Sequence, residues 1–176
     1  MRGHAKSIHR KPLNSRIKSD KEKELFLNPK LDDFQSDLNI PEIKKAQKRI
    51  LKAINDQELI LIYGDYDVDG ICASAILYQG LTSIGAKALP YIPHREKEGY
   101  GMSKVGLDFA KERGAPVVIT VDNGIVAVDQ ALYAKELGLD LIITDHHLPK
   151  DQKPEAFAIV HSIKMCGSAV AWCLVQ

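Results

Sequence analysis

The sequence predicts an α/β fold: a mostly parallel sheet of about four to five strands flanked by helices, Rossmann-like and incomplete at its C-terminus. Three observations predict it. Leu59–Tyr63, Val117–Val121 and Leu141–Thr144 are short unbroken apolar runs, the pattern of strands buried on both faces. Stretches of helical periodicity separate them, as right-handed β-α-β crossovers require. Each run also leads into acidic or imidazole residues, and in such sheets the carboxyl ends of the strands share one crevice.

In chain order, residues 1–24 form a basic segment poor in large apolar side chains. Arg2, Lys6, Arg10, Lys11, Arg16, Lys18, Lys21 and Lys23 there face only Asp20, Glu22 and Glu24. This composition predicts a flexible, solvated tail, with an arm that touches phosphates as the alternative. Leu25 to Asn39 contains Asn28-Pro29 and scattered apolar residues, which predicts loop and short turns. Residues 41–55 are expected to form an amphipathic helix: Pro41 suits a first turn, Asn39 a cap, and Ile43, Ala46, Ile50, Leu51 and Ile54 recur at helical spacing. The domain proper is expected over 56–176, with 25–55 as its lead-in.

Within it, the first strand precedes a helix from Gly70 to Ile84. Ala88 to Ile92 is a weaker strand, in which Pro90 argues for an edge or an irregularity. Ser103 caps a helix that Gly114 closes. The run Val117–Val121 precedes a helix over 126–137, and Leu141–Thr144 is the next strand. Phe157 to Val160 suggests a further strand, and Ser168 to Val175 opens a last helix.

The bulk properties narrow the function. The chain has 176 residues and a formal net charge of +1, so overall charge does not mark a nucleic-acid binder. Its three cysteines, Cys72, Cys166 and Cys173, lack C-x-x-C spacing, which argues against a disulfide framework or structural zinc and fits a reducing cytoplasm. No apolar run is long enough to cross a bilayer, and the basic N-terminal residues lack the apolar core behind them that a secretory signal needs, so none is expected there.

The chemistry lies at the strand ends. The first strand leads into Gly64-Asp65-Tyr66-Asp67-Val68-Asp69-Gly70, the second into Asp122-Asn123-Gly124, the third into Asp145-His146-His147. Taken singly, these are turns and caps. Brought together, their carboxylates repel one another in a low-dielectric cleft and call for divalent cations. Oxygen ligands with imidazoles suit Mn²⁺ or Mg²⁺. Two such ions, about 3.5–4 Å apart, support phosphoester hydrolysis. A calcium loop beginning at Asp65 is excluded, because its twelfth position is Ile76 rather than Glu. Gly70 and Gly124 either admit a phosphate to backbone N–H groups or serve tight turns.

These three clusters resemble the first three motifs of the DHH phosphoesterases, and most closely those of the RecJ-type single-strand-specific 5′-exonucleases. Tyr91-Ile92-Pro93-His94-Arg95, Glu98-Gly99-Tyr100-Gly101-Met102 and Met165-Cys166-Gly167-Ser168-Ala169-Val170-Ala171-Trp172 are similar to further segments of that branch. The resemblance spans roughly residues 25–176. It implies the DHH-domain fold, with Asp67, Asp69, Asp122 and His146 as metal ligands and Asp122 bridging two ions. Asp65 and Asp145 would orient the site. His147 would position the substrate phosphate or support the metal shell, and Arg95 and Gly124 would contact substrate. The attacking group would be water rather than a side chain.

The resemblance also implies a fourth aspartate motif and an associated domain beyond Gln176. The chain is therefore expected to be a partial catalytic lobe, weak or inactive alone and completed by a C-terminal region or a protein partner. Single-stranded DNA is the expected substrate, with RNA or short oligonucleotides also open. The alternatives are a DHH phosphodiesterase of short oligonucleotides or cyclic dinucleotides, and a non-catalytic scaffold or binding subunit.

Overall fold

The structure, a computed structural model, describes residues 17–30 and 39–176. Contacts divide the chain after Leu38, and each side is described by itself. In the first unit Asp20–Leu27 forms a helix, α1, where the sequence predicts tail and loop. Its origin is a capping box: the Ser19 hydroxyl accepts from Glu22 N, and the Glu22 carboxylate accepts from Ser19 N. Apolar periodicity cannot reveal such a helix, because none of its residues is buried. Most of the expected flexible tail lies outside the described residues.

The second unit begins with α2 (Ile43–Asn55), which starts later than expected. Pro41 sits in a turn, and the cap is Glu42, at φ 57°, rather than Asn39. The Glu42 carboxylate instead accepts from Ile159 N at 3.0 Å, capping the outer edge of a strand. The strands follow as β1 (Leu59–Tyr63), β2 (Lys87–Tyr91), β3 (Val117–Val121), β4 (Asp140–Asp145) and β5 (Ala158–His161). Between them run α3 (Val68–Ser83), a short α4 (Arg95–Glu98), α5 (Lys104–Glu112) and α6 (Val128–Glu136), and α7 (Gly167–Val175) closes the chain.

All four strand pairings are parallel, in the order β2-β1-β3-β4-β5. Pro90 falls on an edge strand, where its missing N–H costs no ladder bond. The chain leaves β1 toward β2 and later returns to lay β3 on the other side of β1. That reversal creates a switch point between β1 and β3, where the connections part and leave a crevice.

The register sets Tyr63 beside Thr120 and Val121 beside Thr144, so β1, β3 and β4 end nearly level. Side chains alternate between faces. Leu61, Tyr63, Val118, Leu141 and Ile143 meet Leu107, Ala110, Ala131 and Ala134 of α5 and α6 on one face. On the other, α3 and α7 pack on each other and on β1, β3 and β4, while α2 packs on β5 and α7. Ile60, Ile62, Ile119 and Ile142 are fully buried, each such side chain being worth about 1.5–3 kcal/mol. At the opposite end of the sheet Arg49 is buried and bridges Glu58 at 2.6 Å and Asp140 at 2.5 Å, which ties α2 to the starts of β1 and β4.

One close approach fixes where α5 begins. Tyr63 is fully buried, and its hydroxyl accepts from Ser103 N at 3.0 Å, just before the helix. A Cβ on Gly106 would fall 2.2 Å from the Tyr63 ring. Gly106→Ala is therefore expected to lower the unfolding free energy by about 1–3 kcal/mol, the usual cost of overpacking. Chemical denaturation measures this, and an unchanged midpoint and slope would show that the helix yields freely.

Candidate metal centre and active site

Residues from the ends of β1, β3 and β4 meet at the switch point. The tight turn after β1 needs Gly70, where a Cβ would come 2.5 Å from the Asp65 Cβ. Asp67 then starts α3 as its cap, its Oδ1 accepting from Gly70 N at 2.8 Å. Asp65 is fully buried; its Oδ1 accepts from Tyr66 N at 2.6 Å, and its Oδ2 has no hydrogen-bond partner. Burial is the main influence raising the Asp65 carboxyl above the ordinary range.

Asp69 reaches across to α7. Its two oxygens accept from Gly167 N at 2.7 Å and Ser168 N at 2.8 Å, at the positive end of that helix. Burial pushes this carboxyl up, but the hydrogen bonds from Ser168 and Gly167, with His146 nearby, outweigh it and leave it below the ordinary range.

Asp122 holds the most unusual position. Its backbone is left-handed at φ 63°, uncommon for a residue with a side chain. Two contacts hold it there. Its N–H donates to Thr144 O at 3.0 Å. The next residue, Asn123, donates its amide to Val121 O at 3.0 Å and to Gly64 O at 3.2 Å, joining the ends of β3 and β1. Asp122 Oδ1 is buried without a hydrogen-bond partner, and a Cβ on Gly167 would lie 2.4 Å from it. The ring atom His146 Nε2 sits 3.1 Å from Asp122 Oδ1 and 3.6 Å from Asp69 Oδ2. Burial, then the charges of Asp69 and Asp67, push the Asp122 carboxyl up to about 7.

Asp145 is fully engaged. Its Oδ1 accepts from His146 N at 2.6 Å, pairs with His147 Nδ1 at 2.7 Å and accepts from His147 N at 3.1 Å, while Oδ2 accepts from Ile125 N at 2.9 Å. It fixes the turn and ring bearing the two histidines rather than offering free lone pairs. Burial lowers the His147 ring pKa, but the pairing with Asp145 raises it more. Metal-ligating atoms of Asp122, His146 and His147 lie within 4.8 Å of one another.

All seven acidic and imidazole residues singled out by the sequence thus meet in one crevice. Arg95 stands at its rim, its guanidinium 5.1 Å over the ring of Tyr66. Gly124, at φ 111°, is explained by packing: a Cβ would press on Thr120 Oγ1 at 2.9 Å. It also lines a cavity of about 530 Å³ beside His147, walled by Tyr100, Met102, Val126 and Gln130. Sequence reasoning assigns no role to Asn123, whose partners lie far upstream, or to Tyr100, whose hydroxyl is 3.2 Å from His147 Nε2.

The description "DHH family, N-terminal domain" matches residues 59–176. The chain belongs to the DHH family. It is 48% identical over 137 residues to the single-stranded-DNA-specific exonuclease RecJ of Bacillus subtilis, a match covering 78% of this chain and 17% of that protein. The Escherichia coli RecJ is 38% identical over 120 residues, covering 68% of this chain and 21% of the relative. The chain thus spans about a fifth of the length of these relatives. Among solved structures, a manganese-bound exonuclease RecJ superposes with a TM-score of 0.72 at 33% identity, covering 77% of this chain and 37% of the other. A Mn²⁺ complex of RecJ from Thermus thermophilus gives 0.66 at 28% identity, covering 78% and 20%.

The shifts make a pH prediction. Asp122 ionises near 3.8 ordinarily and near 7 when folded, so between these values the folded chain holds a proton that the unfolded chain has lost. Stability must then fall as pH rises across that window. His147, whose folded pKa is also raised, loses its contribution in the same direction. The melting temperature of the metal-free protein is expected to drop between pH 5 and pH 8, and Asp122→Asn to flatten the drop. A drop of equal size in the variant would assign it to other groups.

Proposed function

We propose that this domain hydrolyses phosphodiester bonds in single-stranded DNA from a 5′ end, using divalent metal ions, Mn²⁺ or Mg²⁺, held in the crevice. The observation that carries this reading is the buried Asp122 carboxylate with an unpartnered oxygen 3.1 Å from His146 Nε2. Two lone-pair donors at that separation, outside hydrogen-bond geometry, match neighbouring ligands of one ion: oxygen and nitrogen each about 2.1 Å from a metal in near-octahedral geometry lie about 3 Å apart. The second orphaned oxygen, Asp65 Oδ2, adds to the unbalanced negative charge. The donor set fits such ions, being oxygen with imidazole and no thiolate. The manganese-bound RecJ structures, similar in fold and sequence, support the same choice.

Asp67, Asp69, Asp122 and His146 would hold the metal, with His147 close enough to join them or to face the substrate. Ions held there would supply positive charge to the phosphoryl oxygens and lower the pKa of a bound water. The chain's own groups do the rest. Asp145 orients both histidines, and the α7 N–H groups aim the Asp69 carboxylate. Asp65 maintains the negative field that draws cations in. Arg95, whose guanidinium lies over the Tyr66 ring, would meet a backbone phosphate. Among the described residues no helix is long and apolar enough to cross a membrane, and all three cysteines are free, which suits the cytoplasm.

The test is a Mn²⁺ titration by calorimetry, paired with release of nucleotides from a 5′-labelled single-stranded oligonucleotide. The chain is expected to be a partial lobe, weak alone. Residues that merely support metal ligands are worth about 10–100-fold, so Asp122→Ala is expected to cost Mn²⁺ affinity about 100-fold or more, and whatever turnover the lobe retains by the same factor. Unchanged metal binding in Asp122→Ala and Asp67→Ala would overturn the assignment. Parallel assays on RNA, short oligonucleotides and cyclic dinucleotides decide the substrate class.

A further inference from the structure

The segment 94–103 carries Arg95 and Tyr100 over the mouth of the crevice, and its shape rests on one carboxylate. Glu98 Oε1 accepts from His94 N at 2.9 Å, at the start of the segment. Glu98 Oε2 accepts from Tyr91 OH at 2.5 Å, on the edge strand, and from Ser103 Oγ at 3.0 Å, at the segment's end. Ser103 is itself held by the buried Tyr63 hydroxyl. Both ends of the loop and the sheet are thus joined at a single half-buried side chain. Between the joints, Gly99 at φ 81° and Gly101 at φ 76° give the sharp reversals that present Tyr100. Tyr100 OH then meets His147 Nε2 at 3.2 Å, and its ring stands edge-on to Tyr66 at 6.3 Å, the ring over which Arg95 lies.

We infer that Glu98 is a substrate-positioning residue: its three hydrogen bonds lock the 94–103 loop so that Arg95 and Tyr100 stand against Tyr66 and His147 across the active-site mouth. This rests on the proposed hydrolysis at the metal centre and assigns a role to a carboxylate that is not part of that centre. The accounting favours an ionised acceptor. All three partners donate, two to Oε2 and one to Oε1; an amide has one accepting oxygen and would turn its NH2 toward at least one of these donors. Those bonds outweigh the effect of burial and hold Glu98 below the ordinary carboxylate range, so it is charged at neutral pH. Loss of this half-buried charged acceptor leaves its donors unpaired; the loop's remaining anchors, the Tyr63 hydroxyl and the buried Met102, hold only its C-terminal end and leave Arg95 free to move. Glu96, two residues earlier and exposed, offers a matched control.

The experiment compares the wild-type chain with Glu98→Ala, Glu98→Gln, Tyr91→Phe and Glu96→Ala. Mn²⁺ affinity is read by calorimetry, affinity for a 5′-phosphorylated single-stranded oligonucleotide by anisotropy, and the His147 ring by NMR. Glu98→Ala is expected to weaken oligonucleotide binding tenfold or more and to shift the His147 signals, with Mn²⁺ affinity held within twofold. Glu98→Gln should recover part of the loss, Tyr91→Phe should show a smaller one, and Glu96→Ala should match wild type. Oligonucleotide affinity unchanged in Glu98→Ala, or falling in step with Mn²⁺ affinity, would overturn the role. Should Glu98→Ala fail to fold, Tyr91→Phe carries the same comparison. A wild-type chain that binds no oligonucleotide defeats the functional reading instead; an unshifted His147 ring in the variants then defeats this one too.

Discussion

Like charge packed into a low-dielectric crevice is the constraint on which the rest of the site depends. Two carboxylates about 4 Å apart repel by about 4 kcal/mol at the effective dielectric of a protein edge, and here Asp122 shares its surroundings with Asp67, Asp69 and Asp145. The fold offsets part of this with backbone dipoles. Asp67 faces the first N–H groups of α3, Asp69 those of α7, and Asp145 accepts from Ile125 N at the start of the loop before α6. Main-chain N–H groups supply most of these hydrogen bonds, with the His147 ring added at Asp145, and main chain cannot move away when charge arrives or departs. Among buried carboxylate oxygens, Asp65 Oδ2 and Asp122 Oδ1 are left without a hydrogen-bond partner, and this uncompensated charge attracts cations.

The parallel sheet makes that focus possible, and also makes it strained. Strands of matched register bring Asp65, Asp122 and Asp145 to one level, but the middle strand must turn its aspartate inward between two neighbours. Asp122 does so with a left-handed backbone, at a cost of order 1–3 kcal/mol. Asn123 sustains it by binding carbonyls on both β1 and β3, and the absence of a side chain at Gly167 leaves room for the carboxylate. The Asn-Gly pair after Asp122 is therefore structural in its details: Asn123 is the clamp, and Gly124 fits beneath Thr120.

How much of this is legible in the sequence follows from the range of each interaction. The buried strands β1 and β3 agree with their apolar runs to the residue, and β4 to within one residue at each end, because burial on both faces demands an unbroken run. The site residues are legible because they are chemically distinctive and sit directly at those strand ends. Helix α1 is not, since a capping box between Ser19 and Glu22 leaves no apolar stripe. Local pattern misplaces the cap of α2 because Glu42 is occupied by Ile159, a partner far along the chain. The role of Glu98 is equally hidden: a Glu-Gly-Tyr-Gly run indicates a turn, but nothing local says that Tyr91 and Ser103 donate to the same oxygen.

The longest of these links bears on how the site comes into being. Asp69 takes its orientation from N–H groups 98 and 99 residues downstream, and Asp122 abuts Gly167 in that same turn. The β1–α3 unit is built from neighbouring residues, but the Asp69 carboxylate it carries is aimed by α7. Docking is driven by apolar surface, since Val170, Ala171 and Leu174 are buried, and by the close approach of Val175 to Gly80, where a Cβ would come within 2.9 Å. Hydrophobic contact thus supplies the free energy that holds two carboxylates in an arrangement their own charges oppose. The orientation of Asp69 therefore depends on a helix that carries none of the seven acidic and imidazole residues, and a substitution at the α3–α7 contact acts on the crevice as much as on the fold.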